Sequence, residues 1–127
     1  MSKIISHKEL KVFQLSFEAA MQIFEISKSF PSEEKYSLTD QIRRSSRSVS
    51  GTIAEAWRKR RYEKSFVAKL SDSEGEAAET QVWLDYSFAC KYINEEIYNE
   101  LYAKYDHILA MLVKMIFNPK QWTLSKK

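Results

Sequence analysis

"LTDQIRRSSRSVSGTIAEAWRKRRYEK", residues 38–64, carries two patterns at once. Leu38, Ile42, Val49, Ile53 and Ala56 recur at helical spacing, with Ser45 or Ser46 at the missing step. Among them stand Arg43, Arg44, Arg47, Arg58, Lys59, Arg60, Arg61 and Lys64. With Arg43 at zero and about 100° per residue, Arg47 falls near ~40°, Arg58 near ~60° and Arg61 near ~0°. The apolar set centres near ~250°, so aliphatics and arginines take roughly opposite sides of one helix over 38–60. If that helix is continuous, the basic strip runs ~27 Å. A kink at Gly51 is the competing local reading.

The same period extends in both directions. Over 8–29, Leu10, Phe13, Phe17, Met21 and Phe24 form one row and Val12, Leu15, Ala19, Ile23 and Ile26 a second. Together they make an apolar face wider than a two-stranded seam requires. Pro31 disfavours helix at Phe30, and Ser32 reads as a cap with Glu33 and Glu34 in its first turn. Over 65–92, Phe66, Leu70, Ala77, Leu84 and Phe88 share a stripe. Asn94 reads as the cap of a fourth helix, 95–117, carrying Ile97, Leu101, Ile108, Leu112 and Met115. Pro119 stops it, leaving a loose tail over 119–127 in which Trp122 is the docking candidate.

Four amphipathic helices with short connections predict an all-α, antiparallel up-down-up-down four-helix bundle, a single domain over 1–127. Composition agrees. Two glycines and two prolines among 127 residues leave little material for the turns of an all-β fold. Cys90 is the one cysteine and is read as a packing residue, so no intrachain disulfide is expected. With no signal-like leader and no apolar run long enough to span a bilayer, a soluble cytoplasmic protein without membrane contact is expected.

Catalytic chemistry finds little to build on. His7 and His107 are far apart in sequence, and Asp106 and His107 point about 100° apart on a helix. Glu74, Glu76 and Glu79 are spaced for surface ion pairs, and Gly51 and Gly75 do not form a phosphate loop. No metal site, no cofactor and no enzymatic activity are expected.

The net charge of +3 is mild, so the placement of charge says more than its sum. Three readings of the basic segment stand side by side: a solvated face, a salt network between subunits, and a strip that binds phosphates. Arg43 and Arg44, beside the core stripe, suit protein carboxylates. Asp72, Glu76 and Glu79, with Trp83 on the same side, offer such a partner within the bundle or between protomers. Arg47, Arg58, Lys59, Arg60, Arg61 and Lys64 suit a polyanion, since guanidinium forks make two-point contacts with phosphate. Tyr98, Tyr102 and Tyr105 share a face of the fourth helix that suits a subunit contact.

The segments "QIRRSSRSV", "TIAEA" and "FVAKLSDSEGEAAETQVWLDYSFACKYI" resemble the four-helix bundle proteins encoded within 23S rRNA intervening sequences. Relatives of that family include the accessory variability determinant of diversity-generating retroelements. The likeness spans about 13–112. Where the family usually reads Asn-Ile-Ala-Glu-Gly, this chain has Thr52, Ile53, Ala54, Glu55 and Ala56. The resemblance implies a ring-like homopentamer and, from the retroelement relatives, a basic surface that binds nucleic acid beside a reverse transcriptase.

Two functions follow as expectations. The first is a non-enzymatic oligomeric bundle that binds RNA or DNA backbone through its arginine-rich face, by counterion release. The second is an assembly module that recruits a polymerase-type protein such as a reverse transcriptase. In that case Arg43, Arg44, Asp72, Glu76, Glu79, Trp83, Tyr98 and Tyr102 supply oligomer or partner contacts.

Overall fold

The computed structural model describes residues 4–124. Four helices carry it: α1 (Lys11–Ser27), α2 (Leu38–Arg58), α3 (Glu63–Ala89) and α4 (Glu95–Phe117). Short 3-10 turns occur at His7–Glu9, Ser32–Glu34 and Pro119–Gln121, and there is no strand among the described residues. Each helix packs on its neighbour in sequence, and α4 returns to α1, so the four enclose one core as a helical bundle. Ile23, Ile42, Ile53, Leu70, Leu84 and Ile108 are wholly buried there. Burying each contributes about 1.5–3 kcal/mol before the entropy of ordering is charged against it.

The period of α2 is realised without a break. The helix passes through Gly51, and Leu38, Ile42, Val49, Ile53 and Ala56 are all buried. Ser45 and Ser46 fill the missing step, both fully buried. Their hydroxyls are satisfied locally or across the seam to α3. Ser46 donates to the Arg43 carbonyl, and the Ser45 and Thr80 oxygens share a hydrogen bond at 2.8 Å. Ser73 of α3 donates to the Val49 carbonyl at 2.8 Å. Small hydroxylated side chains thus let α2 and α3 come close while leaving no buried oxygen of their own unpaired.

The ends of the helices depart from the sequence reading in specific ways. Leu10 is buried in an extended conformation and separates the His7–Glu9 turn from α1, which therefore starts at Lys11 rather than 8. The cap expected at Ser32 does not form. Instead the Glu34 carboxylate accepts from Ser37 Oγ at 2.7 Å and from the Leu38 backbone N–H at 3.2 Å, capping α2 from outside. α2 stops at Arg58, two residues before the expected end. α3 begins at Glu63 and stops at Ala89, where Lys91 turns left-handed with φ 67°. The N–H groups of Lys91 and Tyr92 return to the carbonyls of Phe88 and Ser87, the Schellman pattern. Asn94 caps α4 as expected, accepting from the Ile97 N–H at 2.8 Å.

The tail is docked as far as it is described. Trp122 packs partly buried against the core, and the Leu124 N–H donates to the Arg60 carbonyl. Residues 125–127 lie outside the described part. Cys90, read as a packing residue, is exposed, because the helix ends there and turns it outward. Among the described residues no helix is long and apolar enough to cross a membrane.

Candidate nucleic-acid interface

An unbroken α2 delivers Arg43 and Arg47 to the same side, toward α1. The Arg43 and Arg47 guanidinium carbons lie 4.8 Å and 5.6 Å from the Phe24 ring centroid. Arg43 Nε also donates to Ser27 Oγ at 2.8 Å. The expectation that Arg43 meets a carboxylate is not realised among the described residues: a serine and an aromatic ring hold it. Arg44 does meet one. Its Nη2 donates to Glu79 Oε2 at 2.7 Å and to Gln41 Oε1 at 3.0 Å, and its Nη1 lies 3.9 Å from Glu76 Oε1. Trp83 Nε1 donates to the same Glu79 oxygen at 3.0 Å. Arg44, Glu76, Glu79 and Trp83 therefore form one network inside a single protomer. Asp72 pairs instead with Lys69, which also reaches Glu55.

The second basic cluster divides at the end of α2. Arg58 is exposed on the last turn, and Lys59 follows as the helix cap. Arg60 is tied down: its Nη1 donates to the Trp57 carbonyl at 2.7 Å and its guanidinium lies 4.0 Å over the Trp57 ring. Arg61 stands in the turn after α2, over Tyr62 at 5.9 Å, and Lys64 is exposed on the first turn of α3. Because α2 ends at Arg58, Arg61 leaves the helical strip where its phase placed it. The strip from Arg43 to Arg58 is ~22 Å rather than ~27 Å.

On this surface Arg44 alone meets a carboxylate; elsewhere pairing is mixed, with Lys8, Lys11, Lys91 and Lys114 also without a partner among the described residues. Lys28, Lys69, Lys104 and Lys120 each have a carboxylate partner. Among the described residues none is paired with Arg43, Arg47, Arg58, Lys59, Arg60, Arg61 or Lys64. Lys35, Arg43, Arg44 and Arg47 border a groove of about 760 Å³, with Asp40 the one carboxylate on its wall. The sequence reading missed Lys35 and Tyr36, which lie in a connection without periodicity.

Apolar groups flank the groove. Phe17 and Met21 are half-exposed and, with Ala20, Ser50 and Gly51, line a hollow of about 370 Å³ between α1 and α2. The outer row of α1 is thus left uncovered on the single chain.

The tyrosine row of α4 splits. Tyr105 is fully buried, its hydroxyl has no partner among the described residues, and burial pushes its pKa up. Tyr98 and Tyr102 sit at the rim, partly buried, with ring centroids 5.5 Å apart. Tyr98 donates to Asp85 Oδ1 at 2.6 Å, and that bond first, then burial, pushes its pKa up to about 12. His7 packs edge-on against Phe13 at 4.8 Å, while His107 is exposed. Among the described residues no group of three or more His, Cys, Asp or Glu is placed to hold a metal ion.

Comparison with known proteins places this geometry in context. The family model described as 23S rRNA-intervening sequence protein matches residues 8–114. A crystal structure of a protein of unknown function from the S23 ribosomal protein family of Bacteroides thetaiotaomicron is similar over 83% of this chain and 97% of that one. The two share 30% sequence identity and a TM-score of 0.75. No curated protein matches the chain.

Proposed function

The chain belongs to the 23S rRNA-intervening sequence protein family, and from that premise we propose that it is a non-enzymatic bundle that binds nucleic-acid backbone through the basic side of α2. One observation carries this reading. Among the described residues the arginines of α2, Arg44 apart, have no carboxylate partner, although the chain holds 17 acidic residues and four lysines elsewhere, Lys28, Lys69, Lys104 and Lys120, are paired. Unpaired guanidinium groups on a rigid helix exchange counterions for phosphates without first breaking an internal ion pair. Phosphate contacts of this kind position the protein and carry little sequence preference.

Assembly belongs to the same proposal. Cross-helix pairs such as Arg44–Glu79 and Glu55–Lys69 run in opposite numerical order along α2 and α3, which supports the antiparallel up-down-up-down arrangement. The uncovered row with Phe17 and Met21 offers a surface for self-association, in line with the ring-like homopentamer the family resemblance implies. A ring would repeat the basic face around its circumference. A cytoplasmic setting is part of this reading.

A gel shift over a salt series tests it. Engaging four to six phosphates gives a log–log salt slope of about −4 to −5 on duplex DNA. Arg58→Glu with Arg61→Glu is expected to weaken binding steeply. Binding that is absent in dilute buffer, or unchanged by salt, would remove the proposal.

The alternative, recruitment of a polymerase-type protein such as a reverse transcriptase, draws on the half-buried Trp83 and Tyr102. A partner lost after substitution of Trp83 or Tyr102, yet retained after Arg58→Glu with Arg61→Glu, would favour it.

A further inference from the structure

Tyr36 is 86% exposed, the largest exposure of any large hydrophobic side chain described. It is also the one aromatic residue shared by two adjoining concavities. On one side is the basic groove with Lys35, Arg43 and Arg47. On the other is a pocket of about 320 Å³ that Tyr36 lines together with Trp83 and Tyr86. The Trp83 and Tyr86 rings lie 5.8 Å apart and 35° from parallel. Gln41 stands on the pocket wall, its side-chain oxygen occupied by Arg44 while no partner takes its amide hydrogens among the described residues. We propose that this pair of concavities binds a single-stranded nucleic acid, with phosphates in the groove and an unpaired base in the pocket against Tyr36, Trp83 and Tyr86.

The division of labour follows from charge. Glu34 lines the pocket, and hydrogen bonds from Ser37, Tyr92 and the Leu38 N–H hold its carboxyl below the usual range. An ionised carboxylate there repels phosphate and leaves the pocket to a neutral group. The groove has the opposite sign: with Arg44 held by Glu79, it still presents Lys35, Arg43 and Arg47 against Asp40. A backbone tracked by cations beside aromatic faces is the arrangement that accepts unpaired bases of any sequence. A duplex keeps its bases stacked inside and presents only phosphate here, so it uses the groove and not the pocket.

This inference rests on the nucleic-acid reading above and adds a strand preference to it. The test is fluorescence anisotropy of the full chain with a labelled 20-nucleotide adenine strand, as RNA and as DNA, and with the matching 20-base-pair duplex. Tyr36→Ala is expected to weaken single-strand binding roughly tenfold, in RNA, DNA or both, and duplex binding by much less. Tyr36→Trp should restore it, and circular dichroism checks that both variants keep their helices. Arg47→Ala is expected to weaken strand and duplex alike. Equal loss on strand and duplex after Tyr36→Ala, or no loss on either, overturns the base pocket while leaving backbone binding intact. Absence of binding by the unsubstituted chain in dilute buffer overturns both.

Discussion

The hydroxyl oxygens of Ser45 on α2 and Thr80 on α3 lie 2.8 Å apart in the fully buried seam between the two helices. Thr80 also reaches the Glu76 carbonyl at 2.9 Å, so it keeps a partner if Ser45 is lost. Ser45→Ala should therefore cost about 1 kcal/mol, the net worth of one hydrogen bond. Ser45→Leu should cost more, about 1–3 kcal/mol, because the close approach of the helices leaves no room for the added volume. The double variant Ser45→Ala with Thr80→Val is expected to cost less than the sum of the single changes. Urea unfolding of the unsubstituted chain, the single variants Ser45→Ala, Ser45→Leu and Thr80→Val, and the double variant gives all three values.

That seam also marks what the sequence could and could not convey. The apolar steps of α2 and α4 fixed which faces are buried, and each missing step proved to be occupied. Ser45 and Ser46 fill the one in α2, Ser73 and Thr80 those in α3, and Tyr105 the one between Leu101 and Ile108. Spacing alone places Tyr105 with Tyr98 and Tyr102, because it does not separate core from rim. The gap in the leucine row was the signal that did. The end of α2 was less legible, since no glycine or proline follows Arg58, and the turn that displaces Arg61 has an ordinary lysine at its cap. The pocket was not legible at all. It joins Tyr36, from a connection, to Trp83 and Tyr86 of a helix far along the chain.

Gly51 sits exposed in the middle of α2, and a β-carbon placed there meets nothing within 4 Å. A helical glycine in open space only adds backbone entropy to the unfolded chain. Gly51→Ala should raise stability by about 0.5–1 kcal/mol, or ~3–5 °C in melting temperature. Gly51 also lines the hollow beside Phe17 and Met21, so light scattering on the same variant is informative. A lower melting temperature, with smaller particles, would place a neighbouring protomer's backbone against it.

Lys91 adopts φ 67° to close α3, a conformation in which its β-carbon crowds the following carbonyl. Its N–H and that of Tyr92 must keep returning to α3, so the turn itself is required. Lys91→Gly should stabilise the chain by roughly 0.5–1 kcal/mol, the left-handed penalty less the entropy glycine adds to the unfolded state. Next to it, Asn94→Ala should destabilise by about 1 kcal/mol through loss of the bond to Ile97. Thermal melts of the two variants should move in opposite directions.

The Tyr92 hydroxyl donates to Glu34 Oε2 at 2.9 Å, joining the start of α2 to the end of α3. That bond is the main reason the Tyr92 pKa is pushed up to about 12, and Glu34 is held low by Ser37, then Tyr92 and Leu38. For Tyr92 the folded pKa exceeds the unfolded one. Its contribution is complete below about pH 10 and disappears as pH rises toward 12. For Glu34 the shift is downward, so its contribution is present above the ordinary carboxylate range and lost on acidification through its lowered pKa. Tyr92→Phe should flatten the alkaline limb of a stability–pH profile and leave the chain folded at neutral pH. Ultraviolet titration of that variant should show one fewer late-ionising tyrosine; loss of a tyrosine from the ordinary range instead would mean the bond to Glu34 does not persist in solution.

Arg44 and Arg47 are less than one helical turn apart on the same groove, yet their surroundings assign them different work. Arg44 is half-exposed and bound to Glu79, a pair that contributes at most about 1 kcal/mol to stability. Its charge is already answered, so it releases few counterions when phosphate arrives. Arg47 has no carboxylate partner among the described residues and rests beside Phe24, worth roughly 0.5 kcal/mol at an exposed site. Arg44→Ala should therefore lower the melting temperature slightly while leaving the salt slope of nucleic-acid binding where it was. Arg47→Ala should do the reverse, holding the melting temperature and reducing the slope by about 0.9 on duplex DNA. If both variants shift the slope equally, the Glu79 pair opens on binding, and the paired and unpaired arginines of α2 act as one surface.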